Sequence, residues 1–284
     1  MTIQEALAAA TADLARAGVT DPALDAEALL RHVTGWDRAS ILARPEAELA
    51  AEAQARFAGL IRLRAGRRPL QHLTGLQAFW RHEFRVTPDV LIPRPETEVL
   101  VEAALERLRP LPHPTIVDVG SGSGCIALSL AAELPGAAVH AIDVSDLALA
   151  VARHNAVRLG LEHRVAWHQG DLLAPVAKLA GAIDAVLSNP PYVDTSEGPT
   201  LAPEVRDHEP HVALFPPGDS FSIYRRLVPE AARVLAPGGW LLLEVGQGMS
   251  DEVAGLCQAA GFATEAVIPD LRSIPRTVVA RLPR

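Results

Sequence analysis

"IVDVGSGSGCIALSLA", residues 116–131, reads as a strand that runs into a glycine-rich turn and then into a helix. Gly120, Gly122 and Gly124, with Ser121 and Ser123 between them, let the backbone turn sharply and approach a ligand closely. Such a turn alone also fits a plain strand-to-helix connection with no ligand. The dinucleotide fingerprint G-x-G-x-x-G counted from Gly120 needs a glycine where this chain has Cys125, which disfavours an NAD-dependent oxidoreductase. The pattern is instead G-x-G-x-G, with Asp118 just before it.

Downstream of the turn, short apolar runs alternate with helical patterns. Strands are expected at 115–119, 138–142, 164–168, 183–188, 239–245 and 276–282, and helices near 124–133, 146–159, 221–235 and 249–260. That alternation predicts an α/β fold of βαβ units, its mostly parallel sheet covered on both faces. The second strand ends at Asp143, about 20 residues past the turn, where a carboxylate can accept both ribose hydroxyls of a nucleoside. The third ends near Asp171 and Leu172: the acid can bind an adenine amino group or cap a helix, and the leucine offers an apolar wall. The fourth runs into "NPPY", Asn189, Pro190, Pro191 and Tyr192, where two prolines hold the carbonyls around them in fixed directions. On its own this is a rigid surface turn as readily as a functional one. If the strand order reverses between the first and fourth strands, both turns flank one crevice, with the nucleoside on one side and N-P-P-Y facing its reactive end.

Upstream, the first 75 or so residues read as helices only. One spans 3–16, a second begins with Asp21 as N-cap before Pro22, and a third opens near Pro45 and runs to Gly66. Residues 78–92 alternate loosely and read as a hairpin, after which the chain returns to helix with Glu98, Glu102 and Glu106 on one face. The expected organisation is a helical domain at 1–75, a hairpin linker at 76–95 and an α/β domain at 96–284. Residues 191–220 show no clear element, and a connection of that length in a compact domain is usually functional.

The chain of 284 residues is 49% apolar and 21% charged, with a net charge of −8. That balance argues against a protein built to grip phosphate backbones. The one dense basic cluster, Arg62, Arg64, Arg67 and Arg68, reads as a solvated helix end, with a docking patch as the alternative. No apolar run reaches the roughly 18 residues of a membrane span. Glu5 and Asp13 in an N-terminus without a basic stretch argue against a signal peptide, and Cys125 and Cys257 as the only cysteines suggest reduced thiols in the cytoplasm. Cys125 at a helix start reads as a packing residue or as a thiol of lowered pKa.

The G-x-G-x-G turn with Asp143 resembles class I S-adenosylmethionine-dependent methyltransferases, and N-P-P-Y resembles their amino-nitrogen subgroup. "LQHLTGLQAFWRHEFRVTPDVLIPRPETE" (70–98), "EPHVAL" (209–214) and "LAPGGWLLLEVGQG" (235–248) are similar to the HemK-like peptide chain release factor glutamine methyltransferases. The resemblance covers nearly the whole chain. It departs in "FPPGDSFSIY", where a small glycine-leucine stretch is usual, and at Ser273, where glycine is usual.

The resemblance implies a Rossmann-like seven-stranded sheet with a helical N-terminal domain, and S-adenosyl-L-methionine as donor, leaving S-adenosyl-L-homocysteine. It implies as substrate the glutamine of the Gly-Gly-Gln motif in class 1 release factors. Asn189 Oδ1 and the Pro190 carbonyl would each accept one N–H of that amide, with Pro191 and Tyr192 beside it. Gly120 through Gly124, Asp143, Asp171, Leu172 and Asn189 would hold the donor. Arg94 reads either as a hold on a substrate carbonyl or as a local partner of Glu98. His208, Glu209 and His211 are conceivable metal ligands, but the chemistry needs no metal and none is expected. The expected state is a monomer that meets its protein substrate transiently. The rival readings are a ribosomal-protein glutamine methyltransferase, an adenine methyltransferase acting on DNA or RNA, and a nucleoside-binding module without turnover.

Overall fold

A computed structural model describes residues 1–284. The chain opens with helices α1 (Ile3–Arg16), α2 (Pro22–Thr34), α3 (Arg38–Ala43), α4 (Ala51–Ala65) and α5 (Leu70–Thr74). Strands β1 (Leu76–Phe79) and β2 (His82–Arg85) form the hairpin, and a 3-10 turn at Pro95–Thr97 leads into α6 (Glu98–Leu108). Then come β3 (Thr115–Val119), α7 (Cys125–Glu133), β4 (Ala138–Asp143), α8 (Asp146–Arg158), β5 (Val165–Gln169) and β6 (Ile183–Ser188). The remainder is α9 (Pro203–His208), α10 (His211–Leu214), α11 (Ser222–Val234), β7 (Leu235–Glu244), α12 (Ser250–Ala259), β8 (Ala263–Pro269) and β9 (Pro275–Arg281).

The residues form two compact units, one of Met1–Leu76 with Leu201–His208, the other of Gln77–Thr200 with Glu209–Arg284. In the first, Thr2 and Glu5 form a reciprocal capping box that starts α1. Ile3, Ala6, Ala10 and Leu14 line its buried stripe at helical spacing. They pack with Leu29 and Leu30 of α2 and Phe57 and Ile61 of α4, each such large side chain contributing about 1.5–3 kcal/mol on burial. Two expectations need correction here. Pro22 does open α2, but the Asp21 side chain makes no capping bond. The third helix begins at Ala51 rather than near Pro45, because Pro45 lies in a turn that closes the short α3.

The basic cluster is also not simply a solvated helix end. Arg64 is 7% exposed and bonds Asp25 at 2.6 Å and Glu204 at 2.8 Å, while Arg67 bonds the other Glu204 oxygen at 2.7 Å. Only Arg62 and Arg68 are exposed. Burial works against the Glu204 charge, but hydrogen bonds from Arg67 and Arg64 outweigh it and hold the carboxyl below its ordinary range.

In the second unit seven strands run in the order β5-β4-β3-β6-β7-β9-β8, all neighbours parallel except those of β9. Side chains alternate across the sheet with a period of two, so each strand feeds two cores. Ile116, Leu187, Leu242 and Val279 face α6 and α7; Val117, Val186, Leu241 and Val278 face α11 and α12. The fold is the class I methyltransferase fold that the motifs implied. The strand invisible in the sequence is β8, an edge strand whose residues alternate between half-buried and exposed and so carry little apolar signal.

The hairpin is shorter than read. It closes at Arg85, and residues 86–94 form a loop. It is fastened by the Trp80 N–H to Glu98 at 2.8 Å and by Asn155, which both accepts from and donates to the Arg85 backbone. Residues 191–220 are not element-free: they hold a 3-10 turn at Thr195–Thr200 and the short helices α9 and α10.

Two stability measurements follow. Glu204→Ala leaves two guanidinium groups short of a partner and should cost about 2 kcal/mol in urea titration at pH 7. Because the folded carboxyl is more acidic than the unfolded one, the difference should be complete above the unfolded pKa and vanish as pH falls through the lowered folded value. Ser273 sits at φ 62, in the left-handed region, so Ser273→Gly should raise stability by about 1 kcal/mol in the same titration.

Candidate active site

The site is assembled at the C-terminal ends of the parallel strands. After β3 the chain passes through Gly120, Gly122 and Gly124 at φ 74, 54 and 80, a run of left-handed conformations only glycine adopts without strain. A Cβ on Gly124 would also stand 3.1 Å from both Ala152 and Leu128, so the turn can seat α7 only without a side chain there. Asp143 at the end of β4 accepts the Gly122 N–H at 2.8 Å and the Ser145 N–H at 2.9 Å, one on each oxygen. Each oxygen keeps a further lone pair for a hydroxyl. Burial raises the Asp143 pKa.

β6 lies beside β3 with Ser188 opposite Val119, and the Ser188 hydroxyl donates to the Val119 carbonyl at 2.7 Å. That contact sets Asn189 next to the glycine turn. A cavity of about 410 Å³ opens there, lined by Gly120, Asp143, Leu172, Asn189, Pro190 and Arg94 among others. The volume suits a nucleoside-sized ligand with a small polar group. The reversal of strand order between β3 and β6 is what brings the two turns to one crevice.

Ser121, Ser123, Asp171 and Pro191 also line the cavity. Asp171 is exposed and paired with Arg226, so its carboxylate already has a cation. Leu172 is 6% exposed at φ 47 and presents its side chain as wall. Tyr192 is not among the lining residues; its half-buried ring lies against Gly246, where an added Cβ would come within 3.1 Å of it. Burial pushes its phenol up to about 12, with Glu244 nearby adding to the effect.

The local partners decide between the alternatives left open for Arg94 and Cys125. Arg94 does not pair with Glu98, whose carboxylate takes the Trp80 N–H; it bonds Glu209 at 2.6 Å. The other Glu209 oxygen accepts the Ile92 N–H at 3.2 Å, so this carboxylate fastens the 86–94 loop. Cys125 is no activated thiol, since burial pushes it up to about 12.

Three residues were given no role from the sequence. Asp118 is fully buried beneath the turn, accepting from Ser121 Oγ and the Ala127 N–H, with Oδ1 unpartnered. Burial raises its pKa to about 7. Glu244, at the end of β7, is 2% exposed and likewise raised to about 7 by burial. Thr97 is 3% exposed and accepts from Asn189 Nδ2 at 3.2 Å. An acid closing an apolar run, as in "IVD" and "LLLE", was the available signal for the first two.

Residues 5–75 match the PrmC N-terminal domain, and residues 96–205 match the methyltransferase small domain. The release factor glutamine methyltransferase of Cereibacter sphaeroides is 46% identical over 283 residues, covering 100% of this chain and 99% of that protein. The protein of the same name from Moorella thermoacetica is 48% identical over 281 residues, covering 99% and 98%. Among solved structures, the hMettl16 catalytic domain is similar in fold at a TM-score of 0.55 and 15% identity, over 69% of this chain and 74% of that one. Full-length identity at this level, with the glycine turn, the Asp143 carboxylate and Asn189 to Pro191 on one cavity, places the chain in the release factor glutamine methyltransferase family.

Proposed function

We propose that the protein methylates the side-chain amide nitrogen of the glutamine in the Gly-Gly-Gln motif of class 1 peptide chain release factors. The observation that carries this reading is the shared cavity, in which Asn189 and Pro190 stand on the same wall system as Gly120 and Asp143. The residues fit S-adenosyl-L-methionine: Asp143 has lone pairs left for ribose hydroxyls, the glycine turn gives close backbone approach, and Leu172 offers an apolar wall. When bound, that group supplies a methyl already activated by a sulfonium and leaves as S-adenosyl-L-homocysteine.

What remains for the protein is to position a poor nucleophile, since an amide lone pair is delocalised into its carbonyl. Asn189 Oδ1 and the Pro190 carbonyl each accept one N–H of the substrate amide, which fixes its nitrogen and draws the lone pair toward it. Pro191 stiffens the turn, so the acceptors need little reorganisation. Tyr192, which the sequence placed beside the amide plane, lies outside the cavity lining and backs the turn from its place against Gly246. Arg94, anchored on Glu209, orders the 86–94 loop at the cavity edge and keeps guanidinium donors for a substrate carbonyl. The alternative for Asp171, a contact with an adenine amino group, requires it to share its carboxylate with Arg226. The reading takes the protein as a monomer that meets its substrate transiently, and a translation factor as substrate puts the reaction in the cytoplasm.

The test is incubation with S-adenosyl-L-methionine and an unmethylated class 1 release factor, followed by peptide mass spectrometry. A methyl on the Gly-Gly-Gln glutamine is expected. Asn189→Ala should lower the rate on the order of a hundredfold. Asp143→Ala should instead weaken donor binding by about tenfold or more in calorimetry. A methyl that appears only on a ribosomal protein or a nucleic acid, with none on the release factor, would overturn the substrate.

A further inference from the structure

Thr97 occupies a helix N-cap position, where a threonine hydroxyl ordinarily accepts a backbone N–H of the first turn. Here its side chain makes no capping bond. The hydroxyl is turned away from the helix and accepts the Asn189 amide N–H at 3.2 Å. The buried carboxyl of Glu244 stands next to it, near enough that a hydrogen bond from Thr97 works against the burial that raises the Glu244 pKa. The three groups come from distant elements: the turn before α6, the end of β6 and the end of β7.

An asparagine amide has two faces of nearly identical shape and opposite chemistry. The role given to Asn189 requires Oδ1 toward the substrate, because the substrate amide brings N–H groups. An inverted side chain would set N–H against N–H. Nothing in the size of the side chain forbids inversion, so a neighbour must select the orientation. A lone hydroxyl cannot do so, since it can accept from Nδ2 or donate to Oδ1 equally well. A hydroxyl whose proton is already claimed by a carboxylate has only lone pairs left, and it tolerates Nδ2 alone.

We propose that Thr97 and Glu244 are positioning residues for this reaction: Glu244 takes the Thr97 hydroxyl proton, and Thr97 thereby holds Asn189 with Nδ2 inward and Oδ1 toward the substrate. The inference rests on the methyl-transfer reading of the same site. Glu244 is a costly residue to keep for packing alone, being 2% exposed with Oε2 unpartnered. The charged and titratable groups around it are Arg276 on β9, Arg94 before the 3-10 turn and Glu96 within it, Tyr192 after β6 and Tyr224 on α11. Burial raises the Glu244 pKa to about 7, with the Thr97 hydrogen bond opposing the rise. The ionised form is the one that accepts the Thr97 proton, so kcat should rise with pH through about 7.

The experiment compares wild type, Thr97→Val, Thr97→Ser and Glu244→Gln by steady-state kinetics on a release factor, donor calorimetry, thermal melting and the side-chain amide resonances of Asn189 in nitrogen-15 spectra. Thr97→Val should lower kcat by roughly tenfold or more with donor affinity near wild type, and Thr97→Ser should recover most of that loss. Glu244→Gln should abolish the rise of kcat with pH near neutrality. The Asn189 amide resonances should shift in Thr97→Val and return in Thr97→Ser, a readout that needs no turnover. Unchanged resonances and unchanged kcat in Thr97→Val would overturn the inference, as would a Thr97→Ser enzyme as slow as Thr97→Val. An inactive wild type whose Asn189 resonances still respond would sink the substrate reading and leave the hydrogen-bond assignment standing.

Discussion

The pairing of Val119 with Ser188 is the contact on which the site depends. It is a single rung of a parallel ladder, closed by the Ser188 hydroxyl on the Val119 carbonyl. One residue further along each strand, the backbone leaves the sheet as Gly120 on one side and Asn189 on the other. Parallel strands release both turns at the same edge, and β4 and β6 flank β3 on opposite sides, so nothing fills the space between them. A one-residue slip would send every inward side chain to the opposite face and separate the two turns. The two cores on either face of the sheet hold that register.

The same edge collects carboxyls that are expensive to bury. Asp118 and Glu244 both lie under the turns, each with one unpartnered oxygen, and both have pKa values raised to about 7 by burial. Folded carboxyls that bind protons more tightly than unfolded ones lower stability as pH rises from the unfolded pKa toward neutrality. A protein under selection for stability alone gains nothing from two such groups. Raised carboxyl pKa values of this kind cluster at functional sites, and these two lie next to the glycine turn and to the strand that ends at Asn189.

In the helical unit a comparable polar cluster is arranged for a different purpose. Asp25, Arg64, Arg67 and Glu204 are joined by short hydrogen bonds, and the pKa of Glu204 is lowered rather than raised. Glu204 belongs to α9, in the stretch that follows N-P-P-Y along the chain. Its partners hold that short, proline-bounded helix among α-helices of the first unit, where its own six residues could not sustain it.

The sequence by itself determined whatever depends on neighbours along the chain. The left-handed turn is legible in Gly120, Gly122 and Gly124, because backbone strain is local. The sheet is legible in the alternation of apolar runs with helical patterns, and the rigid turn in Asn189, Pro190 and Pro191. The edge strand β8 was hidden because only one of its faces is covered, so it lacks an apolar run. Partnerships were decided by the tertiary structure alone. Arg94 and Glu98 looked like a pair at helical spacing, yet Arg94 reaches Glu209 across 115 positions and Glu98 takes the Trp80 N–H. Thr97 stands at the N-cap of α6, yet its hydroxyl meets Asn189, 92 positions away. A sequence names donors and acceptors, but which of them meet is set by strand order and register, and those are properties of the whole sheet.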